Sequence, residues 1–208
     1  MGWQKSGGRV GISACVFILC IGMAQAHAVS VQPAVAVIAR FQQTLLSVMK
    51  KAPELGFKGR YRILAPAVRE SHDLPFIAEI TVGPYWPQLT AAARAAFVRT
   101  FTQLTVATYA AQFDGYSGEA FQETAAHAVA GGDVLVETTL TAHGRKEATL
   151  DYLLAQSGSH WKIVNIVANG VSDLALKRAQ YTAVIQNKGF PALLAMLRVK
   201  VAQLSKAR

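Results

Sequence analysis

The period of the apolar residues changes from helical to alternating after Gly115 and Gly118, and that change limits the folds open to the chain. Beyond those glycines Val134, Val136, Thr138 and Leu140 share one side, and Glu137, Thr139 and Thr141 share the other. Only Leu135 breaks this two-residue repeat, the signature of a half-buried strand. His143-Gly144-Arg145 marks a turn, Leu150, Tyr152 and Leu154 then alternate with Asp151, and Ser157-Gly158-Ser159 turns the chain again. Trp161, Ile163, Asn165 and Val167 alternate against Lys162, Val164 and Ile166 in the last run, and Ala120 to Val129 supplies a first strand. Connections this short exclude parallel pairing, which needs long crossovers, so the spacing predicts a four-stranded antiparallel meander.

Before the switch the repeat is helical. Val35, Ile38, Phe41, Leu45, Leu46 and Met49 fall on one face of a helix over 31–49, closed by Lys50, Lys51, Pro53 and Gly56. A short second helix over 61–70 is expected to bend at Pro66, because proline removes a backbone donor. Asp73 reads as the N-cap of a third helix that reaches Ile80 and stops near Gly83-Pro84. Thr90 caps the clearest one, running to Gln112, with Leu89, Ala93, Phe97, Phe101, Leu104 and Thr108 stepping by three or four. After the strands two helices close the chain, over 172–186 and 190–205, separated by Gly189-Phe190-Pro191. Helices on either side of a sheet in sequence must pack on it in space. The expected fold is therefore α+β and cone-like, with an internal apolar cavity between helices and meander.

The N-terminus has the build of an export signal. Lys5 and Arg9 precede an apolar run from Val10 to Met23, and Ala24-Gln25-Ala26 offers a small-x-small cleavage site. The run falls short of the ~20 apolar residues that a spanning helix needs. Residues 1–26 are read as a signal peptide cleaved near Ala26, and 27–208 as one exported domain in the periplasm. Cleavage removes both cysteines, Cys15 and Cys20, so the mature domain must be held by packing without a disulfide. With Lys5 and Arg9 gone the formal charge falls from +9 to +7. In an exported protein that excess suits anionic membrane surfaces or acidic partners, with no nucleic acid as partner. Lys50, Lys51, Lys58, Arg60 and Arg62 form the densest basic cluster, a candidate for transient membrane-surface contact.

Motifs for catalysis are missing from the chain. The histidines at 27, 72, 127, 143 and 160 show no H-x-x-H or H-E-x-x-H spacing, so no metal site is expected. There is no G-x-S-x-G elbow, and Gly131-Gly132 lies in a hairpin rather than between strand and helix. His72-Asp73 is the best acid/base pair, but neighbours at a helix start point apart and Asp73 is needed as a cap.

Three ordered blocks carry a family resemblance. Tyr85-Trp86, Arg94, Phe97, Phe101, Leu104 and Thr108-Tyr109 resemble the YW…R…F…F…L…TY helix of the MlaC-type periplasmic lipid-binding proteins, the toluene-tolerance family. Trp161-Lys162-Ile163-Val164-Asn165-Ile166 with Gly170-Val171-Ser172 is similar to that family's W-x-I/V-x-D-x…E-G-V-S segment. Asn187-Lys188-Gly189-Phe190 with Leu193-Leu194 resembles its closing signature. Asn165 and Asn169 stand where the family carries aspartate and glutamate, so no acidic role is carried over. Ser71-His72-Asp73-Leu74-Pro75-Phe76 and the run Gly170 to Arg178 look closest to the hopanoid-associated HpnM branch.

The resemblance implies a carrier, without catalytic residues or cofactor, for the acyl or polycyclic part of a phospholipid or hopanoid. Its partners would be membrane-bound lipid transport complexes of the inner and outer membrane. The candidate wall comprises Tyr85, Trp86, Phe97, Phe101 and Tyr109 from the helices and Val136, Tyr152, Leu154, Ile163 and Val167 from the sheet. Leu193 and Leu197 complete it from the last helix. Two other readings remain open at this point: an enzyme with a ketosteroid-isomerase-like pocket, and a ligand-free interaction module.

Overall fold

The computed structural model describes residues 1–2 and 30–206; the signal peptide and cleavage site expected from the sequence, and with them Cys15 and Cys20, lie outside the described residues apart from Met1 and Gly2. Among the described residues six α-helices and an antiparallel sheet form the fold, with helices before and after the sheet in sequence. Among the described residues no helix is long and apolar enough to cross a membrane.

Helix α1, Gln32–Lys50, buries Ala34, Ile38, Phe41, Leu45, Val48 and Met49, the three-four repeat of the sequence made physical. Helix α2, Ala52–Ser71, begins much earlier than the expected 61–70, with Pro53 in its first turn. Proline at that position loses only an amide with no intrahelical partner, so it starts a helix as readily as it follows one. The helix breaks at Gly56 (φ 56°, ψ 178°) and carries Pro66 in its interior. Helix α3, Leu74–Val82, is capped as expected: the Asp73 carboxylate accepts from the Phe76 amide at 3.1 Å. A 3₁₀ segment, Gly83–Gln88, leads to α4, Ala91–Gln112, where the Thr90 hydroxyl accepts from the Ala93 amide.

The strands are β1, Ala120–Ala128; β2, Val134–Ala142; β3, Arg145–Ser157; and β4, His160–Ala168. They pair in sequence order, every pair antiparallel. The sheet has five strands rather than the expected four, because Val171–Ser172 returns as a two-residue β5 against Val167 and Ala168. Asn169 (φ 50°) and Gly170 (φ 80°) make this hairpin with two successive left-handed residues, a turn that asparagine followed by glycine adopts cheaply. Ser172 then serves twice, as the end of β5 and, through its hydroxyl, as the cap of α5, Asp173–Lys188. Helix α6, Phe190–Leu204, ends the fold.

A bulge in β4 changes which residues face the helices. Leu154 pairs with Ile163 but Leu153 pairs with Asn165, leaving Val164 as the extra residue. Ile166 therefore pairs with Tyr152 and Ala168 with Leu150, on the side of the buried core. Val167 pairs with Asp151 and lies on the opposite face, so the unbroken alternation through Val167 does not hold.

The core lies between the inner face of the sheet and the helices. Val134, Val136, Tyr152, Leu154, Trp161 and Ile163 from the sheet meet Phe41, Leu45, Leu64, Val68, Phe101 and Leu193 from the helices. Part of it is an aromatic cluster: the Phe97 ring lies 6.0 Å from Phe101, 6.2 Å from Tyr181, 5.8 Å from Phe190 and 6.4 Å from Trp86.

Candidate functional site: an apolar cavity with a polar wall

One edge of β4 is covered only in part, and a largely apolar cavity lies along it. At the start of that edge His72 forms an isolated parallel bridge with Ile163, and the Asp73 amide donates to the Ile163 carbonyl at 3.0 Å. Further along, β5 pairs with Val167 and Ala168. Val164, Asn165 and Ile166, the bulged stretch between these two seams, line a cavity of about 270 Å³. Its other walls come from Leu45 of α1, Leu74 and Ile77 of α3, Phe101, Leu104 and Tyr109 of α4, and Leu150 and Tyr152 of β3.

Polar side chains collect in two places around this space. Toward solvent stand Thr105, Thr108 and Gln112 of α4 and the Asp173–Lys177 ion pair of α5, one helical turn apart. Asn165 secures that rim: its side-chain oxygen accepts from the Ser172 hydroxyl at 3.1 Å and from the Leu174 amide at 3.3 Å. An asparagine oxygen does this as a carboxylate would, so the missing acid leaves the hydrogen-bonding scheme intact.

The second group is buried. The Ser71 hydroxyl donates to the Ala67 carbonyl at 2.7 Å, so at 2.8 Å from it the His72 Nδ1 is the donor and the hydroxyl oxygen the acceptor. Nε2 of the neutral ring is then the acceptor, and the Tyr109 hydroxyl donates to it at 3.1 Å. Burial holds His72 at a pKa of about 3 and pushes Tyr109 well above the ordinary tyrosine value. Both groups are neutral across the physiological range, and their proton affinities are far apart. A general acid or base works best with a pKa near the working pH, which neither group has. Behind them Gln42 donates to Thr138 at 3.1 Å and, at 3.5 Å, to the Tyr152 hydroxyl, whose pKa burial pushes up to about 12.

Of the twelve wall residues named from the sequence, the cavity is lined by Phe101, Tyr109, Tyr152 and Ile163. Phe97, Leu154, Leu193 and Leu197 are solid core, none more than 2% exposed, and Val136, 1% exposed, lines a separate space between α1 and the sheet with Ile38, Gln42 and Phe121. Tyr85 and Trp86 sit on the 3₁₀ segment, where Arg94 straps them to α4 by donating to the carbonyls of Trp86 at 3.1 Å and Pro87 at 3.0 Å. The Arg94 guanidinium also lies 5.5 Å from the Trp86 ring, and neither Tyr85 nor Trp86 lines the cavity beside β4. Val167 is on the far face. Leu45, His72, Leu74, Ile77, Leu150 and Val164 line the space without having been named for it. Leu45 and Leu150 were legible as inward-facing residues; His72 and Val164 depend on the β4 edge and its bulge, which no local pattern announces. Arg60 also leaves the basic cluster: it is 3% exposed and donates to the carbonyls of Ala110 at 2.8 Å and Ala52 at 3.2 Å.

A meander backed on one side by helices, with an apolar cavity opening beside the bulged strand at its edge, defines an α+β cavity domain. The family model for MlaC protein matches residues 39–199, and the chain belongs to the MlaC family. A solved structure described as the phospholipid-binding protein from Ralstonia solanacearum in complex with a phospholipid has the same fold: TM-score 0.73, 23% identity, covering 82% of this chain and 98% of that one. No curated protein matches.

Proposed function

We propose that the mature chain, residues 27–208, is a periplasmic lipid carrier that encloses the acyl or polycyclic part of a phospholipid or hopanoid and shuttles it between inner- and outer-membrane transport complexes. The observation that carries this reading is the apolar cavity at the β4 edge in a member of the MlaC family. The Ralstonia neighbour, whose description includes a bound phospholipid, supports it. So do the Lys5–Ala26 export pattern and the HpnM-like segments around His72 and Gly170.

Apolar chains gain about 0.8 kcal/mol per methylene removed from water, which favours an enclosed space of this lining. At about 270 Å³ the cavity is just under the roughly 300–1,000 Å³ of ligand pockets, so holding a tail requires the walls to part. The wall that can part is α3 with α5: these helices pack on each other and supply Leu74, Ile77 and Leu174 to the cavity. An anionic headgroup then lies at the rim beside Lys177, in exchange for Asp173. An enzyme reading finds no support in the cavity, whose buried histidine and tyrosine are poorly matched for proton transfer.

Organic extraction of the purified exported form, followed by mass spectrometry, tests the proposal. A carrier yields phospholipid or triterpenoid in stoichiometric amount. An extract free of lipid, from protein that also takes none from vesicles, refutes it in favour of an interaction module.

A further inference from the structure

The cavity wall is not uniformly apolar, and the exception is built. Tyr109 stands on α4 facing the cavity, its ring wedged edge-on against Phe41 at 5.1 Å and stacked on Phe113 at 5.9 Å. Its hydroxyl proton is committed to His72 Nε2, because Ser71 and His72 together fix the tautomer. What this hydroxyl has left to offer is an acceptor lone pair, held in place by a rigid ring and by a histidine that is 4% exposed. An acceptor of this kind pairs with a donor. A hydrocarbon chain, an ester carbonyl and a phosphate oxygen supply none.

We propose that the Tyr109 oxygen reads a hydroxyl group carried on the enclosed portion of the ligand, so that the cavity prefers a hydroxylated lipid to one whose buried segment is plain hydrocarbon. This deepens the carrier reading and rests on it. The apolar neighbours Leu45, Phe101 and Ile163 enforce the choice of position, since a hydroxyl placed against them is buried without a partner. Thr105 and Thr108 also bring hydroxyls to this space, but at its solvent rim, and the Tyr152 oxygen already accepts from Gln42.

The test is a competition series on the delipidated exported form, in which stearate and its monohydroxy isomers, with the hydroxyl moved along the chain, displace a fluorescent polyene fatty acid. At least one isomer should compete about two- to tenfold better than stearate, the range one net hydrogen bond supplies, and the isomers flanking it should compete worse. In Tyr109→Phe the ratio between that isomer and stearate should fall to about one, whatever the variant's affinity for stearate itself. Because the readout is a ratio between isomers, a variant that merely loosens the fold moves both probes together. The wild-type series decides even where the variant does not fold. The inference is overturned alone if stearate binds and every hydroxylated isomer binds more weakly, or if Tyr109→Phe keeps the same preference. It falls together with the carrier reading if neither the fluorescent acid, nor stearate, nor a phospholipid binds.

Discussion

His72 shows most directly what a single buried group does here. Its folded pKa of about 3 lies below the 6.5 of an unfolded histidine, so between those values the unfolded chain binds the additional proton. The stability tied to this ring is complete above about pH 6.5 and drains away as pH falls toward 3. Urea unfolding should give a free energy about 1.4 kcal/mol lower at about pH 5.5 than at about pH 7.5. His72→Gln, which cannot take up that proton, should flatten the slope. Equal slopes for both proteins would show that the ring titrates normally. A second residue separates core from wall: Phe97→Ala should cost about 3–5 kcal/mol of stability yet leave lipid preference unchanged, because Phe97 touches Phe101, Tyr181 and Phe190 rather than the cavity. Chemical denaturation gives the first quantity and competitive lipid binding the second.

Among the elements, the short seam between β4, β5 and α5 determines how the cavity mouth is held. Asn165 joins all three by accepting from Ser172 and from the Leu174 amide. Asn165→Ala should lower stability by about 1 kcal/mol and raise amide hydrogen exchange selectively at the start of α5. Exchange that rises uniformly, or not at all, would mean that Asn165 does not anchor the helix. The same seam shows where sequence reading stops. Helices α3 and α4 were legible at their first residues because Asp73 and Thr90 are local caps, whose partners lie three residues on. Strands β1 to β4 were legible because alternation and tight turns are local too. Strand β5 was not: two residues carry no period, and only its pairing with Val167 and Ala168 makes it a strand. The bulge at Val164 is likewise a property of the β3–β4 pair, and it exchanges Val167 for Ile166 on the inner face. Helix α2 was foreshortened because Pro53 and Gly56 were read as stops, whereas the first sits harmlessly in an opening turn and the second marks only a kink.

At the scale of the molecule, the aromatic and aliphatic residues named from the sequence divide into two populations that composition cannot tell apart. Phe97, Leu154 and Leu193 fill the interior, while Phe101, Tyr109, Tyr152 and Ile163 face a space. Which is which follows from how α4 lies across the sheet and from the uncovered stretch of the β4 edge. The account rests on that space taking up a lipid tail. Filling it is the direct trial: Leu150→Trp puts an indole into the cavity from β3, at a position half-open in the folded protein, so the fold should tolerate it. Native mass spectrometry of both proteins after incubation with lipid vesicles reads occupancy one molecule at a time. Wild type should carry a single lipid and folded Leu150→Trp should carry none; equal loading of the two, or a wild type that stays empty, would contradict the account.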